Sequence, residues 1–208
     1  FRFSHRLGQN FILDDAVVDE IAARSGANAG DAVLEIGPGA GTLTAALLRR
    51  GACVMAVEVD KNLQPVLESL LGDNPDVKLK FADILKCDLN ELHAELGSMR
   101  APDGALRVAA NLPYYITSDV LTRFAKSDAH FDSLTIMVQR EAAERIMAQV
   151  GQKQYCLLSA LLSWHYDIEA AMELPRGLFT PPPHVDSTLL RLTPRETAPA
   201  ETLDHDTL

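Results

Sequence analysis

Four consecutive residues, Asn111-Leu112-Pro113-Tyr114, combine the groups needed to hold a planar, amine-bearing base while its nitrogen reacts. The asparagine offers an amide oxygen, the proline frees the preceding Leu112 carbonyl, and the tyrosine offers a flat aromatic face. They follow an apolar run, Leu106–Ala110, that reads as a buried strand. Open α/β sheets place their ligands at the carboxyl ends of such strands. The same four residues also make an ordinary proline turn with a surface tyrosine.

A second segment narrows the chemistry. Glu35-Ile36-Gly37-Pro38-Gly39-Ala40-Gly41 lies between a strand-like and a helix-like stretch. Its glycines permit a tight turn and close ligand approach, whether to a dinucleotide, a nucleoside or only a crowded crossover. The spacing is G-x-G-x-G, not the G-x-G-x-x-G of a dinucleotide fingerprint. Glu35, Glu58 and Asp83 then close three successive strands. Any one of them reads as a helix cap or a solvated strand end. Together beside a glycine loop, they would repel a pyrophosphate. An acid after the second strand suits ribose hydroxyls, and Asp83 suits an adenine amine. A ligand with a ribose, an adenine and a positive charge fits this set, which describes S-adenosyl-L-methionine.

The elements that must carry these residues alternate between strand and helix, the pattern of a parallel α/β sheet. Helical spacing runs over Ile12–Arg24, with Asp14 or Asp15 as N-cap, and over Leu43–Arg50, stopping at Gly51. Further helices are expected over Asn62–Leu71, Ser118–Ala125, Arg140–Gln149 and Tyr155–His165. Strands are expected over Ala32–Ile36, Cys53–Val59, Lys78–Ala82, Leu106–Ala110, Leu134–Gln139, Asp167–Glu173 and Ser187–Leu192. Phe179-Thr180-Pro181-Pro182-Pro183 reads as a rigid extended loop.

Composition bounds the rest. A chain of 208 residues, 47% apolar, suits one sizeable domain. No apolar run is long enough for a membrane span, and none resembles a secretory leader. Three scattered cysteines (Cys53, Cys87, Cys156), without a CxxC pair, fit reduced thiols in a cytoplasmic protein. The six histidines lack metal-ligand spacing, so no metal is expected. A net charge of −10 and a pI near 5.0 count against a broad nucleic-acid surface. Part of that excess is local, because Glu196, Glu201, Asp204 and Asp206 crowd the tail. Basic residues gather instead at Arg2, His5 and Arg6 and around Arg140, Arg145 and Lys153.

With these residues in view, the chain resembles the class I, Rossmann-like methyltransferases, and more narrowly the ribosomal RNA adenine dimethyltransferases of the KsgA/RsmA type. Leu7–Ile12, Glu35–Gly41, Asn111–Tyr115, Val138–Glu141 and Phe179–Ser187 carry the resemblance, in the family's order and over almost the whole chain. It implies a mostly parallel seven-stranded sheet flanked by helices, with the last strand antiparallel. It implies S-adenosyl-L-methionine held by Asn10, Ile12, Gly37, Glu58, Asp83 and Asn111. Asn111, Leu112, Tyr114 and Phe179 would form the catalytic set, with Phe179 facing Tyr114 across the target base. The implied reaction is methylation of adenosine N6 in 16S ribosomal RNA, dimethylating two adjacent adenosines during 30S assembly, by a monomer that touches no membrane. Residues 1–194 would be the catalytic domain, and 195–208 a linker or the stub of a C-terminal helical domain. Cys156 departs from the pattern, where the family commonly has glycine, and a change in helix packing is expected there.

Three other readings stay open on sequence grounds. A 23S adenine methyltransferase of the macrolide-resistance type shares the glycine loop and a similar tetrapeptide. Leu112, Val138-Gln139-Arg140-Glu141 and the triple proline favour the small-subunit type. A noncatalytic ribosome-assembly factor would have no need of the intact tetrapeptide and carboxylates. A nicotinamide-dependent dehydrogenase conflicts with the glycine spacing.

Overall fold

The computed structural model describes residues 10–196. Leu7, Gly8 and Gln9, the basic residues Arg2, His5 and Arg6, and all of the expected 195–208 linker after Glu196, with Glu201, Asp204 and Asp206, lie outside the described residues.

In chain order the elements are β1 (Phe11–Ile12), α1 (Asp15–Arg24), β2 (Ala32–Ile36), α2 (Thr42–Arg49), β3 (Cys53–Glu58), α3 (Gln64–Leu71), β4 (Val77–Phe81) and α4 (Leu89–Gly97). They continue with β5 (Leu106–Asn111), α5 (Thr117–Lys126), β6 (Ser133–Gln139), α6 (Arg140–Ile146), α7 (Leu157–His165), β7 (Tyr166–Leu174), β8 (Phe179–Thr180) and β9 (Ser187–Pro194). The main sheet has seven strands in the order β4-β3-β2-β5-β6-β9-β7. Neighbours from β4 to β6 are parallel, and β9 inserts antiparallel to both β6 and β7. This is the architecture that the resemblance implies, with the last strand as the antiparallel one.

The central strands of the sheet are buried on both faces, and the alternation of their side chains says which helix covers which face. Leu34, Met55, Val108, Ile136 and Leu190 point into one core, built with Leu92 and Leu96 of α4 and Leu121 and Phe124 of α5. Val33, Val54, Ala109, Met137 and Leu189 point into the other, built with Ile21 of α1 and Leu47 of α2. Glu35 belongs by parity to this second face, beneath α2.

Several boundaries differ from the sequence reading for local reasons. Ile12 is not helical; it sits in β1, which pairs antiparallel with β8. The helix begins later because Asp14 is its N-cap and accepts from the amides of Ala16 and Val17. Lys61–Leu63 form a 3-10 turn under the Asp60 cap, and α3 proper starts beside Pro65. Helix α4 was not anticipated. Its signals are Asp88, which accepts from the Asn90 and Glu91 amides, and Leu89, Leu92 and Leu96 along one face. Cys156 is the N-cap of α7: its amide donates to the Ser159 hydroxyl at 3.1 Å, and that hydroxyl donates to the Arg145 carbonyl at 2.6 Å. The cysteine thereby joins the start of α7 to the end of α6. Among the described residues no helix is long and apolar enough to cross a membrane.

Candidate active site

The strand order reverses between β2 and β5, so the chain leaves their carboxyl ends in opposite directions and opens a crevice there. A cavity of about 230 Å3 occupies it. Asn10, Ile12, Gly37, Glu58, Asp83 and Asn111, the six residues expected to hold the cofactor, all line it.

Gly37 follows β2 with φ +71°, a left-handed conformation that favours glycine. A side chain there would extend toward the main chain of Asn111, whose carbonyl oxygen lies 3.8 Å from an added Cβ. The space between the two residues is therefore open because position 37 carries no side chain. Gly39 is closed in a different way, since a Cβ would come within 2.5 Å of the Phe11 ring.

Glu58 ends β3 almost wholly buried. Its two carboxylate oxygens accept from the Gly39 amide at 3.2 Å and the Asp60 amide at 2.8 Å. One side chain so fixes the glycine loop relative to the next strand. Burial pushes the Glu58 carboxyl above its ordinary pKa, and those two amides act against the rise. Glu35 is buried beneath the loop and accepts from the Thr44 hydroxyl at 2.6 Å. Burial raises its pKa to about 7, opposed by Thr44 and reinforced by the Glu58 charge. Asp83 follows β4, accepts from the Leu85 amide at 3.0 Å and has the Lys86 ammonium 3.5 Å away.

At the end of β5 the Asn111 amide nitrogen donates to the Asn10 carbonyl at 3.0 Å. Leu112 turns the other way and is fully buried in the larger core, so its side chain anchors the tetrapeptide. Tyr114 is partly exposed and does not line the cavity. The polar side chains of Gln139 and Ser187, cross-strand partners on β6 and β9, lie beside its hydroxyl. Burial raises the Tyr114 hydroxyl pKa, and these two polar neighbours oppose the rise. Phe179 is buried in the second core and does not line the cavity either. It is tied to the site through β8, where it stands opposite Ile12.

The cavity also has a lining that the sequence reading passed over. Val59 and Ile84 directly follow the two cleft carboxylates, and Tyr115 follows Tyr114. Apolar residues next to the acids at strand ends are the signal that would have found the first two. Tyr115, largely exposed, has no such mark.

Buried carboxylates that burial holds above their usual pKa favour a cationic occupant, and an open face at Gly37 admits one close to the backbone. The set of acceptors thus fits an adenosine bearing a sulfonium. Among the described residues no cluster of His, Cys, Asp or Glu could hold a metal.

Comparisons with known proteins agree with this geometry. The family model for ribosomal RNA adenine dimethylase matches residues 1–208. A ribosomal RNA small subunit methyltransferase A from Clostridium perfringens is 42% identical over 192 residues, covering 92% of this chain and 65% of the relative. The chain therefore spans slightly less than two thirds of that relative's length. Among solved structures, a dimethyladenosine transferase from Plasmodium falciparum superposes with a TM-score of 0.74 at 27% identity, over 89% of this chain and 64% of the other. The 23S rRNA methyltransferase ErmE gives 0.74 at 26% identity, over 91% and 71%. A match along the full sequence, on a fold whose crevice gathers the expected residues, places the chain in the ribosomal RNA adenine dimethylase family.

Proposed function

We propose that this chain transfers methyl groups from S-adenosyl-L-methionine to the N6 amine of adenosines in small-subunit ribosomal RNA, dimethylating adjacent adenosines during 30S assembly. It would act as a monomer in the cytoplasm, with residues 1–194 as its catalytic domain. The observation that carries this reading is the meeting of Asn111 with Gly37, Glu58 and Asp83 in one crevice.

Glu58 would accept from ribose hydroxyls and Asp83 from the adenine amine, while Asn10, Ile12 and Gly37 would close around the remainder. When bound, S-adenosyl-L-methionine supplies an activated methyl group. The chain's own task is to present the target nitrogen. An adenine amine is a weak nucleophile because its lone pair is delocalised into the ring. Hydrogen bonds from its two N–H groups to Asn111 Oδ1 and the Leu112 carbonyl would turn the lone pair out of the plane and stabilise the charge that develops. Tyr114 and Phe179 would flank a base lifted out of its stack. Since Phe179 is buried in the second core, it has to be uncovered when the base arrives. The proton lost from the methylated nitrogen can pass to water, so no strong general base is needed.

The test is mass spectrometry of 30S subunits incubated with the chain and cofactor, with 23S ribosomal RNA as a parallel substrate. Dimethyladenosine in the 30S sample, lost in Asn111→Ala, is the expected result. Methylation confined to 23S RNA would favour the macrolide-resistance type, which the equal likeness to ErmE keeps in play. No affinity for S-adenosyl-L-methionine would favour an assembly factor.

A further inference from the structure

The Asn111 side chain has two ends of similar shape and opposite hydrogen-bonding character. Only its oxygen can accept from an amine; a flipped amide would set N–H against N–H. The NH2 end donates to the main-chain oxygen of Asn10 at 3.0 Å. A carbonyl can only accept, so this contact fixes the NH2 toward Asn10 and turns Oδ1 away from it. We propose that the main-chain carbonyl of Asn10 is a positioning group that sets the Asn111 amide for methyl transfer, an inference that rests on the methyltransferase reading of the site.

The carbonyl is itself held by its neighbours. Phe11 and Ile12 are buried and pair with Thr180 and Phe179 in the two-stranded β1–β8 sheet. On its other side the Phe11 ring packs against Gly39, with no room for a Cβ between them. Asn10 is thus carried on a strap pinned between β8 and the glycine loop. The strap also connects the orientation of Asn111 to Phe179, which faces Ile12 in the register. Side-chain chemistry at position 10 plays no part in the contact, because the acceptor belongs to the backbone.

A role limited to cofactor contact and a role in orienting Asn111 separate kinetically. The first changes KM for S-adenosyl-L-methionine and is overcome by saturation; the second lowers kcat at saturating cofactor. Deleting residues 1–10 should lower that kcat about 10-fold or more. Nitrogen-15 NMR supplies a readout independent of activity. One Asn111 side-chain amide proton, assigned through its loss in Asn111→Asp, should exchange slowly in the parent. That protection should persist in Asn10→Ala, which keeps the carbonyl, and vanish in the deletion. If the deletion fails to fold by circular dichroism, Phe11→Ala loosens the strap and should show faster exchange with lower kcat. Unprotected Asn111 protons in the parent overturn the proposal. So does a loosened or deleted strap with parental kcat and only a raised KM. A parent that shows the protected proton yet methylates no RNA removes the methyltransferase reading instead, since the hydrogen bond is then present without the reaction.

Discussion

At the scale of single residues, Glu35 makes the sharpest pH prediction. Its pKa in the fold is about 7, above the usual 4.5, so the native state holds the proton more tightly than the unfolded chain. The associated stability is fully present below pH 4.5 and is lost as pH rises through 7, roughly 3 kcal/mol in all. Glu35→Gln keeps an acceptor for Thr44 and removes the titration. It should melt higher than the parent at pH 8, by about 5–10 °C, with the gap closing near pH 5; equal melting curves at pH 8 would contradict it. A cation in the cleft favours the ionised form, so affinity for S-adenosyl-L-methionine should rise from pH 6 to 8 in the parent and much less in the variant. Calorimetric titration reads this directly. Tyr114 gives a second prediction. Losing its ring in Tyr114→Ala should cost about 5- to 150-fold in turnover, the range of one base stack. Tyr114→Phe keeps the ring but loses the hydroxyl beside Gln139 and Ser187, and should fall between parent and alanine. The ring was legible from the tetrapeptide. The neighbours of its hydroxyl were not, because they lie far along the chain and are brought together only by strand register. The Asn10 contact was hidden for another reason: a main-chain carbonyl has no signature in residue identity.

Among the elements, the staple at the amino-terminal edge of the sheet holds the two strands that flank the crevice. Asp31, just before β2, accepts from the Ala105 amide at 2.7 Å, the Asn28 amide at 3.0 Å and Arg107 of β5 at 3.0 Å. Burial pushes its pKa up, and these three partners outweigh it, leaving the carboxyl below its ordinary range. Its contribution is therefore present above about pH 3.8 and lost as pH falls through the folded value. Asp31→Ala should destabilise by about 3–5 kcal/mol in urea at pH 7, because it leaves the charge of Arg107 uncompensated, with the Ser133 hydroxyl still accepting from it. Adding Arg107→Met should recover part of that loss; no recovery would mean that the backbone contacts dominate. Strands β2, β3, β5 and β6 were readable because burial on both faces makes their sequences mostly apolar, with Glu35, Arg107 and Thr135 as isolated interior exceptions. Helix α4 went unread although its Asp88 cap and leucine spacing were present, since charged and polar residues interrupt the leucines along the segment from Asp83 to Leu106. β1 and β8 are two residues each, and only their mutual pairing makes them strands.

For the molecule as a whole, the two cores share one sheet, so the crevice cannot loosen without disturbing both. A ligand at the carboxyl ends of β2 to β5 should stabilise the entire domain. At a hundred times its dissociation constant, S-adenosyl-L-methionine should add about 2.7 kcal/mol and raise Tm by several degrees in a single transition. A separate, unshifted transition would show that part of the chain unfolds independently. The place of β9 has a consequence for synthesis. It is the last strand to be made among the described residues, yet it lies between β6 and β7 instead of at an edge. While the chain emerges from the ribosome, those two strands present bare facing edges until Ser187–Pro194 arrives to join them. The final strand is a keystone: a nascent chain halted before it has most of the crevice residues but no closed sheet, and its open edges are exposed to other chains or to chaperones.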